Sequence, residues 1–328
     1  MTVDLPLPGV RDVPAAEVPL GRKDFTSDQE VRWCPGCGDY VILASMQRFL
    51  GELGLRRENI VIVSGIGCSS RFPYYLETYG MHSIHGRAPA IATGLATARP
   101  DLAVFVITGD GDALSIGGNH LIHAMRRNVN LTILLFNNRI YGLTKGQYSP
   151  TSELGKITKS TPMGSLDRPF NPISLALGAE ATFVARTLDS DRVHLTSVLR
   201  AATAHRGTSL VEIYQNCPIF NDGAFDILKD AEQAEARLVR LEQGQPVQLA
   251  DREVMHDAHA DDPSQAFAIS RLDDPTMAHV PIGIFRDVAR PTYDDGVREQ
   301  IAAAQAADGA DLADLIAGND TWTVPAQS

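Results

Sequence analysis

The chain has 328 residues, 44% of them hydrophobic and 21% charged, which allows one large α/β domain, or a domain plus an extension, with a sizeable core. Its formal net charge of −11 argues against nucleic acid as a partner, because phosphate backbones attract basic surfaces. The sequence has no apolar run long enough to span a membrane and no secretory signal at its amino terminus, so we expect a cytoplasmic protein without a membrane partner.

Residues 1–30 open the chain with four prolines and no clear periodicity. This pattern predicts an extended amino-terminal arm, which we expect to lie on a partner. No internal repeat or low-complexity tract follows it.

Residues 31–225 alternate between strand and helix patterns. Short apolar runs predict buried strands at residues 60–63, 104–107, 132–136, 182–184 and 210–214. Apolar residues at three- and four-residue spacing predict helices at residues 41–53, 88–98, 118–127 and 191–205. This alternation is typical of an α/β fold, and we expect a doubly wound, mainly parallel sheet flanked by helices.

Residues 226–328 have a different character. A charged stretch rich in Ala and Glu predicts a helix at residues 226–243, and residues 251–273 are polar and rich in turn formers. We expect a C-terminal extension here rather than a second core.

Candidate functional groups follow the ends of four predicted strands. Cys68, Asp110, Asn138 and Cys217 each come shortly after an apolar run. Because ligands of open α/β sheets bind beyond the carboxyl ends of the strands, we expect these groups to converge on one crevice.

Asp110 lies in a Gly-Asp-Gly turn, and Asn138 follows the next strand along the chain. Carboxylate and amide oxygens suit Mg²⁺, and Gly118 can open a helix whose first amides face a phosphate. Each motif alone is also typical of a plain turn. Together they favour a magnesium and phosphate site, because one predicted helix and one predicted strand separate them.

The chain contains four cysteines, Cys34, Cys37, Cys68 and Cys217. Disulfides are disfavoured in a cytoplasmic chain, and the C-x-x-C pair indicates a metal or redox centre. Four thiolates suit either a [4Fe–4S] cluster or zinc, and the residues alone leave both metals open.

Gly109-Asp110-Gly111 followed by Asn137-Asn138 resembles the thiamine diphosphate motif of transketolase-like and decarboxylase enzymes. The resemblance implies the thiamine diphosphate-binding fold, with Mg²⁺ bound by Asp110, Asn138 and the backbone oxygen of Ile140. The cofactor contacts that it implies are Ile66, Gly67, Cys68, Ser69, His85, Gly111, Asp112, Gly142 and Leu143.

The cysteine pattern narrows the family. Cys34-Pro35-Gly36-Cys37, Gly67-Cys68-Ser69 and Cys217-Pro218 look like the cluster-binding pattern of 2-oxoacid:ferredoxin oxidoreductase beta subunits. Residues 82–87, 141–147 and 281–293 also look typical of that family, so the resemblance runs from about Trp33 to Tyr293. It implies a [4Fe–4S] cluster held by all four cysteines, and a cofactor- and cluster-binding domain over residues 31–225.

The same resemblance implies an oxidoreductase activity. In that family a 2-oxoacid and coenzyme A give acyl-CoA and CO₂, and electrons pass through the cluster to ferredoxin. The C-terminal segment looks like the 2-oxoglutarate type, which forms succinyl-CoA; pyruvate and branched-chain 2-oxoacids are the alternatives. Arg87 is a possible contact for the substrate carboxylate.

The resemblance also implies a partner. An alpha subunit would supply the glutamate that activates the cofactor and much of the coenzyme A site, in an α2β2 heterotetramer. Two other classes of function stay open on the residues: a non-oxidative thiamine decarboxylase or synthase, and a non-catalytic interaction protein with a four-cysteine zinc site.

Overall fold

The computed structural model describes residues 7–273, 276–307 and 311–326. Within these ranges the central feature is an eight-stranded sheet in the order β2-β1-β3-β4-β6-β5-β10-β7, with a separate two-stranded hairpin of β8 and β9. The strands are β1 Ile60–Ser64, β2 Tyr79–His82, β3 Ala103–Gly109, β4 Leu131–Asn137, β5 Phe183–Leu188, β6 Thr208–Tyr214, β7 Leu238–Leu241, β8 Pro246–Gln248, β9 Glu253–Met255 and β10 Val280–Asp287.

Helices cover both faces of this sheet. They are α1 Asp39–Glu52, α2 Phe72–Tyr75, α3 Ala88–Ala98, α4 Asp110–Leu114, α5 Gly118–Arg127, α6 Pro172–Gly178, α7 Arg192–Ala204, α8 Ala231–Arg237, α9 Ser264–Ser270, α10 Tyr293–Ala306 and α11 Leu312–Ala317. Among the described residues, none of these helices has the length and apolar character needed to cross a membrane.

The pleat of the strands divides the core into two layers. Ile60 and Ile62 of β1 belong to the apolar cluster that includes residues of α1 and α7. Val61 and Val63 belong to the cluster on the other face, with residues of α3, α5 and α6. Successive side chains of a strand point to opposite faces, so a continuous apolar run fills both layers. The predicted doubly wound α/β fold is confirmed.

The sheet has a switch point between β1 and β3. The chain runs from β1 outward to the edge strand β2, then returns to β3 on the other side of β1 and continues to β4. All of these neighbours pair in parallel. The loops that leave β1 and β3 therefore diverge and open a crevice, which is where doubly wound sheets bind ligands.

The C-terminal part of the chain contains a shorter helix than predicted, followed by a strand. The helix predicted at residues 226–243 is wrong over its first and last parts, because α8 begins at Ala231 and ends at Arg237, and Leu238–Leu241 forms strand β7. Strand β7 pairs with β10, and β10 pairs antiparallel with β5, so this region completes the main sheet. The region boundaries near residues 30 and 226 stay predictions, and residues 1–6, 274–275, 308–310 and 327–328 of the predicted arm and extension lie outside the described residues.

A fully buried ion pair crosses two central strands. Arg186 of β5 is in register with Glu212 of β6, and its Nε donates to Glu212 Oε2 at 2.7 Å. Arg186 also contacts Asp273 at 3.1 Å. The other carboxylate oxygen of Glu212 accepts a hydrogen bond from Asn137 Nδ2 at 2.7 Å. These partners offset the cost of removing both charges from water.

We expect the change Arg186→Met to lower the free energy of unfolding by about 3–5 kcal/mol, because it leaves the Glu212 carboxylate buried without its counter-charge. The matched control is Arg200→Met, which removes an exposed pair with Glu52 and should cost less than about 1 kcal/mol. Denaturant unfolding of both variants measures the difference. Equal losses would contradict this account of the buried pair.

Candidate active site

A pocket lies at the switch point between β1 and β3, where doubly wound sheets bind ligands. Its wall contains twelve of the residues named from the sequence. They are Ile66, Gly67, Cys68, Ser69, His85, Asp110, Gly111, Asp112, Asn138, Ile140, Gly142 and Leu143.

Asp110 is the first residue of α4 and is almost completely buried. Its Oδ2 accepts hydrogen bonds from Ser149 Oγ at 2.5 Å and from Thr151 Oγ1 at 2.6 Å. Burial raises the pKa of Asp110 to about 6, although both hydroxyls favour its charged form. A cation in the pocket would stabilise this carboxylate.

Asn138 and Ile140 form the opposite side of the same pocket. Asn138 Oδ1 accepts a hydrogen bond from the backbone N–H of Ile140 at 3.2 Å, which closes a tight turn after β4. Arg139 within this turn has a φ of +57°, in the left-handed region. The turn therefore brings amide and carbonyl oxygens to the pocket that also contains the Asp110 carboxylate, a donor set that suits a hard cation.

Asp112 lies two residues beyond Asp110 and connects three loops. Its Oδ1 accepts from the backbone N–H groups of Ile66 at 3.2 Å and Gly86 at 2.7 Å, and its Oδ2 accepts from Thr108 Oγ1 at 2.7 Å. His85 Nδ1 lies 2.5 Å from Oδ1, and a carboxylate acceptor at that distance selects the Nδ1–H tautomer. Both oxygens of Asp112 are thus engaged with the protein, and the pocket side of His85 is fixed in orientation.

Gly111, between these two aspartates, permits the close approach of the Tyr141 ring. A Cβ at this position would lie 2.2 Å from the Tyr141 ring, whose hydroxyl donates to the Gly111 carbonyl at 2.9 Å. Tyr141 in turn lines the pocket. Glycine at position 111 is therefore a steric requirement of the site.

The four cysteines come from three separate loops that meet beside the pocket. A Cβ on Gly142 would lie 3.5 Å from Cys68 Sγ and 3.7 Å from Cys217 Sγ, so both thiols face the same glycine. The backbone N–H of Gly38, next to Cys37, donates to the carbonyl of Asn216 at 3.1 Å. Cys34 is exposed, whereas Cys37 and Cys217 are buried.

Burial raises the pKa of Cys68 to about 12 and also raises the pKa of Cys37 and Cys217. The nearby carboxyl of Asp39 adds to this effect at Cys37 and Cys68. Thiolates at these positions need a positive counter-charge. In the described ranges, no three Cys, His, Asp or Glu side chains lie close enough together to hold a single metal ion.

Arg87 lies outside the pocket wall. Its guanidinium donates to the carbonyl of His85 at 3.1 Å and to the carbonyl of Ile116 at 3.4 Å, which ties together two loops behind the pocket. Trp33 packs against Phe72 and Tyr75 and donates its indole N–H to the Cys68 carbonyl at 2.7 Å.

Four further residues belong to the site. Asp39 and Gln215 line the pocket, and each has one buried oxygen without a hydrogen-bond partner. Gln215 directly follows β6, so the strand-end rule that found Cys217 applies to it as well. Ser149 and Thr151 lie between β4 and α6, where the sequence has no periodic pattern that indicates a role.

Comparison with known proteins identifies the family of this site. The chain is 65% identical over 339 residues to 2-oxoglutarate oxidoreductase subunit KorB of Mycobacterium tuberculosis, an alignment that covers 95% of this chain and 91% of that relative. The chain belongs to the beta subunits of 2-oxoacid:ferredoxin oxidoreductases. The predicted family is confirmed, and the protein is a subunit of an oxidoreductase.

Two other relatives of this family agree. The chain is 40% identical to 2-oxoacid:ferredoxin oxidoreductase 1, subunit beta, of Aeropyrum pernix, over 82% of this chain and 81% of that relative. A solved structure of 2-oxoglutarate:ferredoxin oxidoreductase from Magnetococcus marinus, with 2-oxoglutarate, coenzyme A and succinyl-CoA bound, superposes with a TM-score of 0.80 at 36% identity, over 93% of this chain and 98% of that chain.

A domain model also matches this beta subunit. The model described as thiamine pyrophosphate enzyme, C-terminal TPP binding domain, matches residues 65–213. These residues include Asp110, Asp112 and the Asn138 turn. The chain therefore contains a thiamine diphosphate-binding domain.

We expect Gly65→Ala to destabilise the pocket wall, because its Cβ would lie 1.7 Å from Asp112 Oδ2 and would force this carboxylate out of place. The expected loss in the free energy of unfolding is about 2 kcal/mol or more. The control is Gly94→Ala within α3, where a Cβ has nothing within 4 Å and should stabilise the helix by about 0.5–1 kcal/mol. Thermal melting compares the two, and an unchanged Gly65→Ala variant would contradict the crowding.

Proposed function

We propose that this chain is the thiamine diphosphate-binding beta subunit of an enzyme that oxidatively decarboxylates a 2-oxoacid and transfers the acyl group to coenzyme A, with electrons passing through a [4Fe–4S] cluster to ferredoxin. The observation that carries this proposal is the meeting of Asp110, Asn138 and Cys68 in the wall of one pocket. A hard-cation donor set beside a group of thiols suits a thiamine enzyme that passes on single electrons.

The pocket suits thiamine diphosphate with its Mg²⁺. Asp110, Asn138 and the carbonyl of Ile140 would hold the ion, and the Asp110 carboxylate, buried among hydroxyls, would gain a counter-charge. The remaining cofactor contacts named from the sequence line the same pocket. When bound, the cofactor stabilises the carbanion that is formed on loss of CO₂ from a 2-oxoacid.

The chain's own residues orient the cofactor. The Asp112 carboxylate holds His85 at 2.5 Å in one tautomer, which would present the ring to the diphosphate. Arg87, bound to the carbonyls of His85 and Ile116, is placed behind this loop. Its contact with a substrate carboxylate stays a proposal that requires the guanidinium to leave one of these carbonyls.

The four cysteines would hold the cluster. Cys68 belongs to the pocket wall, and Cys34 is exposed at the surface. A cluster held by these residues would supply one-electron transfer. Burial raises the pKa of Cys37, Cys68 and Cys217, and the positive charge of the iron ions would favour their thiolate forms.

We further propose a partner alpha subunit, in an α2β2 assembly, and 2-oxoglutarate as the substrate. The carboxylic acids that line the pocket within the described ranges are aspartates, so the glutamate that thiamine enzymes use at the aminopyrimidine would come from the partner. The 2-oxoglutarate proposal rests on the similarity to 2-oxoglutarate oxidoreductase subunit KorB of Mycobacterium tuberculosis and to the 2-oxoglutarate:ferredoxin oxidoreductase of Magnetococcus marinus. Residues 31–225 would form the cofactor domain.

Metal analysis of protein purified without oxygen tests the cluster. We expect about four iron atoms per chain and a broad absorbance in the visible range. The change Cys217→Ser should remove most of the iron, because it deletes one of the four thiolates. One zinc per chain without iron or thiamine diphosphate would instead favour the four-cysteine interaction protein.

CO₂ release from 2-oxoglutarate, pyruvate and branched-chain 2-oxoacids tests the reaction. With the alpha subunit, coenzyme A and oxidised ferredoxin present, we expect the highest kcat/KM for 2-oxoglutarate, and no turnover by the beta chain alone. Turnover without the alpha subunit would refute the shared site. CO₂ release that needs neither coenzyme A nor an electron acceptor would favour a non-oxidative decarboxylase.

A further inference from the structure

Three buried hydroxyls in one turn contact both sides of the proposed magnesium site. Ser149, Thr151 and Ser152 are each at most 3% exposed, and we name them the hydroxyl clamp. Ser149 Oγ donates to Asp110 Oδ2 at 2.5 Å, and Ser152 Oγ donates to the Arg139 carbonyl at 2.6 Å. The clamp thus reaches from the carboxylate after β3 to the turn after β4.

Thr151 is the central member of the clamp. Its Oγ1 lies 2.6 Å from Asp110 Oδ2 and 2.9 Å from Asn137 Oδ1, so its single proton has an acceptor at the end of each of two neighbouring strands and is donated to one of them at a time. Asn137 Oδ1 also accepts from the backbone N–H of Arg139 at 3.1 Å, within the turn that carries Asn138. A shift of Thr151 would therefore move Asp110 and the Asn138 turn relative to each other.

The far end of this chain of contacts is rigid. Asn137 Nδ2 donates to Glu212 at 2.7 Å, and Glu212 pairs with the fully buried Arg186 at 2.7 Å. Both hydroxyls of the clamp that reach Asp110 bind the same oxygen, Oδ2, which fixes the rotation of the carboxylate. The network therefore sets which carboxylate oxygen faces the pocket.

We propose that Thr151 is a positioning residue that sets the affinity of this beta subunit for Mg²⁺ with thiamine diphosphate. The inference rests on the proposed function, because Mg²⁺ at Asp110 is part of it. Groups that hydrogen-bond to a metal-ligating carboxylate orient it, and their loss typically weakens metal binding by about 10–100-fold. Thr151 does not line the pocket and would act through Asp110 and Asn137.

The test uses the beta chain assembled with its alpha subunit and the change Thr151→Val, which keeps the shape and removes the hydroxyl. We expect the Kd for Mg²⁺, measured by calorimetry in the presence of thiamine diphosphate, to rise about 10–100-fold. Activity should recover at saturating Mg²⁺, since no group that contacts substrate is lost. Thr151→Ser keeps the hydroxyl and should bind Mg²⁺ nearly as the unchanged protein does.

The matched control is Thr196→Val on α7, whose hydroxyl donates to the Arg192 carbonyl away from the pocket and should leave the Kd unchanged. A Thr151→Val protein that binds Mg²⁺ like this control overturns the inference. Loss of binding in Thr151→Ser equal to that in Thr151→Val would also overturn it, because packing and not the hydroxyl would then matter. If the unchanged assembly binds no thiamine diphosphate with Mg²⁺, the proposed function itself fails.

Discussion

The carboxylate of Asp112 connects the loops that surround the switch point of the sheet. It accepts hydrogen bonds from the loop after β1, through Ile66, and from the loop after β2, through His85 and Gly86. It also binds Thr108 within its own strand β3. A switch point in a doubly wound sheet separates its loops by default. A buried carboxylate that accepts hydrogen bonds from two of these loops and from β3 converts an open crevice into a pocket with fixed walls.

The buried charges of the sheet lead to the same pocket. Arg186 and Glu212 lie on β5 and β6, and Asn137 at the end of β4 extends their pairing toward Asp110. A buried ion pair contributes little net stability, but the loss of one partner is costly, so such pairs hold a geometry rather than strengthen a core. Here the geometry is that of the loop ends after β3 and β4. The rigidity of the sheet is thereby transmitted to groups that must not move when a ligand binds.

Apolar runs and the polar groups at their ends were sufficient to predict the parallel core and the meeting of Cys68, Asp110 and Asn138 in one pocket. The other predicted pocket residues came from the family resemblance. The sequence pattern was insufficient for β10, since Pro281 and Gly283 are residues that disfavour strands, and for β2, whose four residues are all exposed. Arg186 lies beyond the strand predicted at residues 182–184 and Glu212 is a polar position within a predicted strand, and only tertiary pairing explains their complete burial. The hydroxyl clamp had no signal, because its turn lies in an irregular segment between β4 and α6.

The electrostatics of the pocket show why its ligands must bring positive charge. Within the described ranges, the titratable groups of its wall are Asp39, Asp110, Asp112, Cys68, His85 and Tyr141. Burial raises the pKa of Asp39 to about 7 and that of Asp110 to about 6, because removal from water disfavours the charged form of each carboxylate. An anionic diphosphate beside Asp110 would be repelled unless a cation stood between them. The same argument applies to the buried thiols, which need iron or another cation before they can ionise. Binding of such ligands would stabilise the folded protein, because ligands that bind only the folded state raise its stability by mass action.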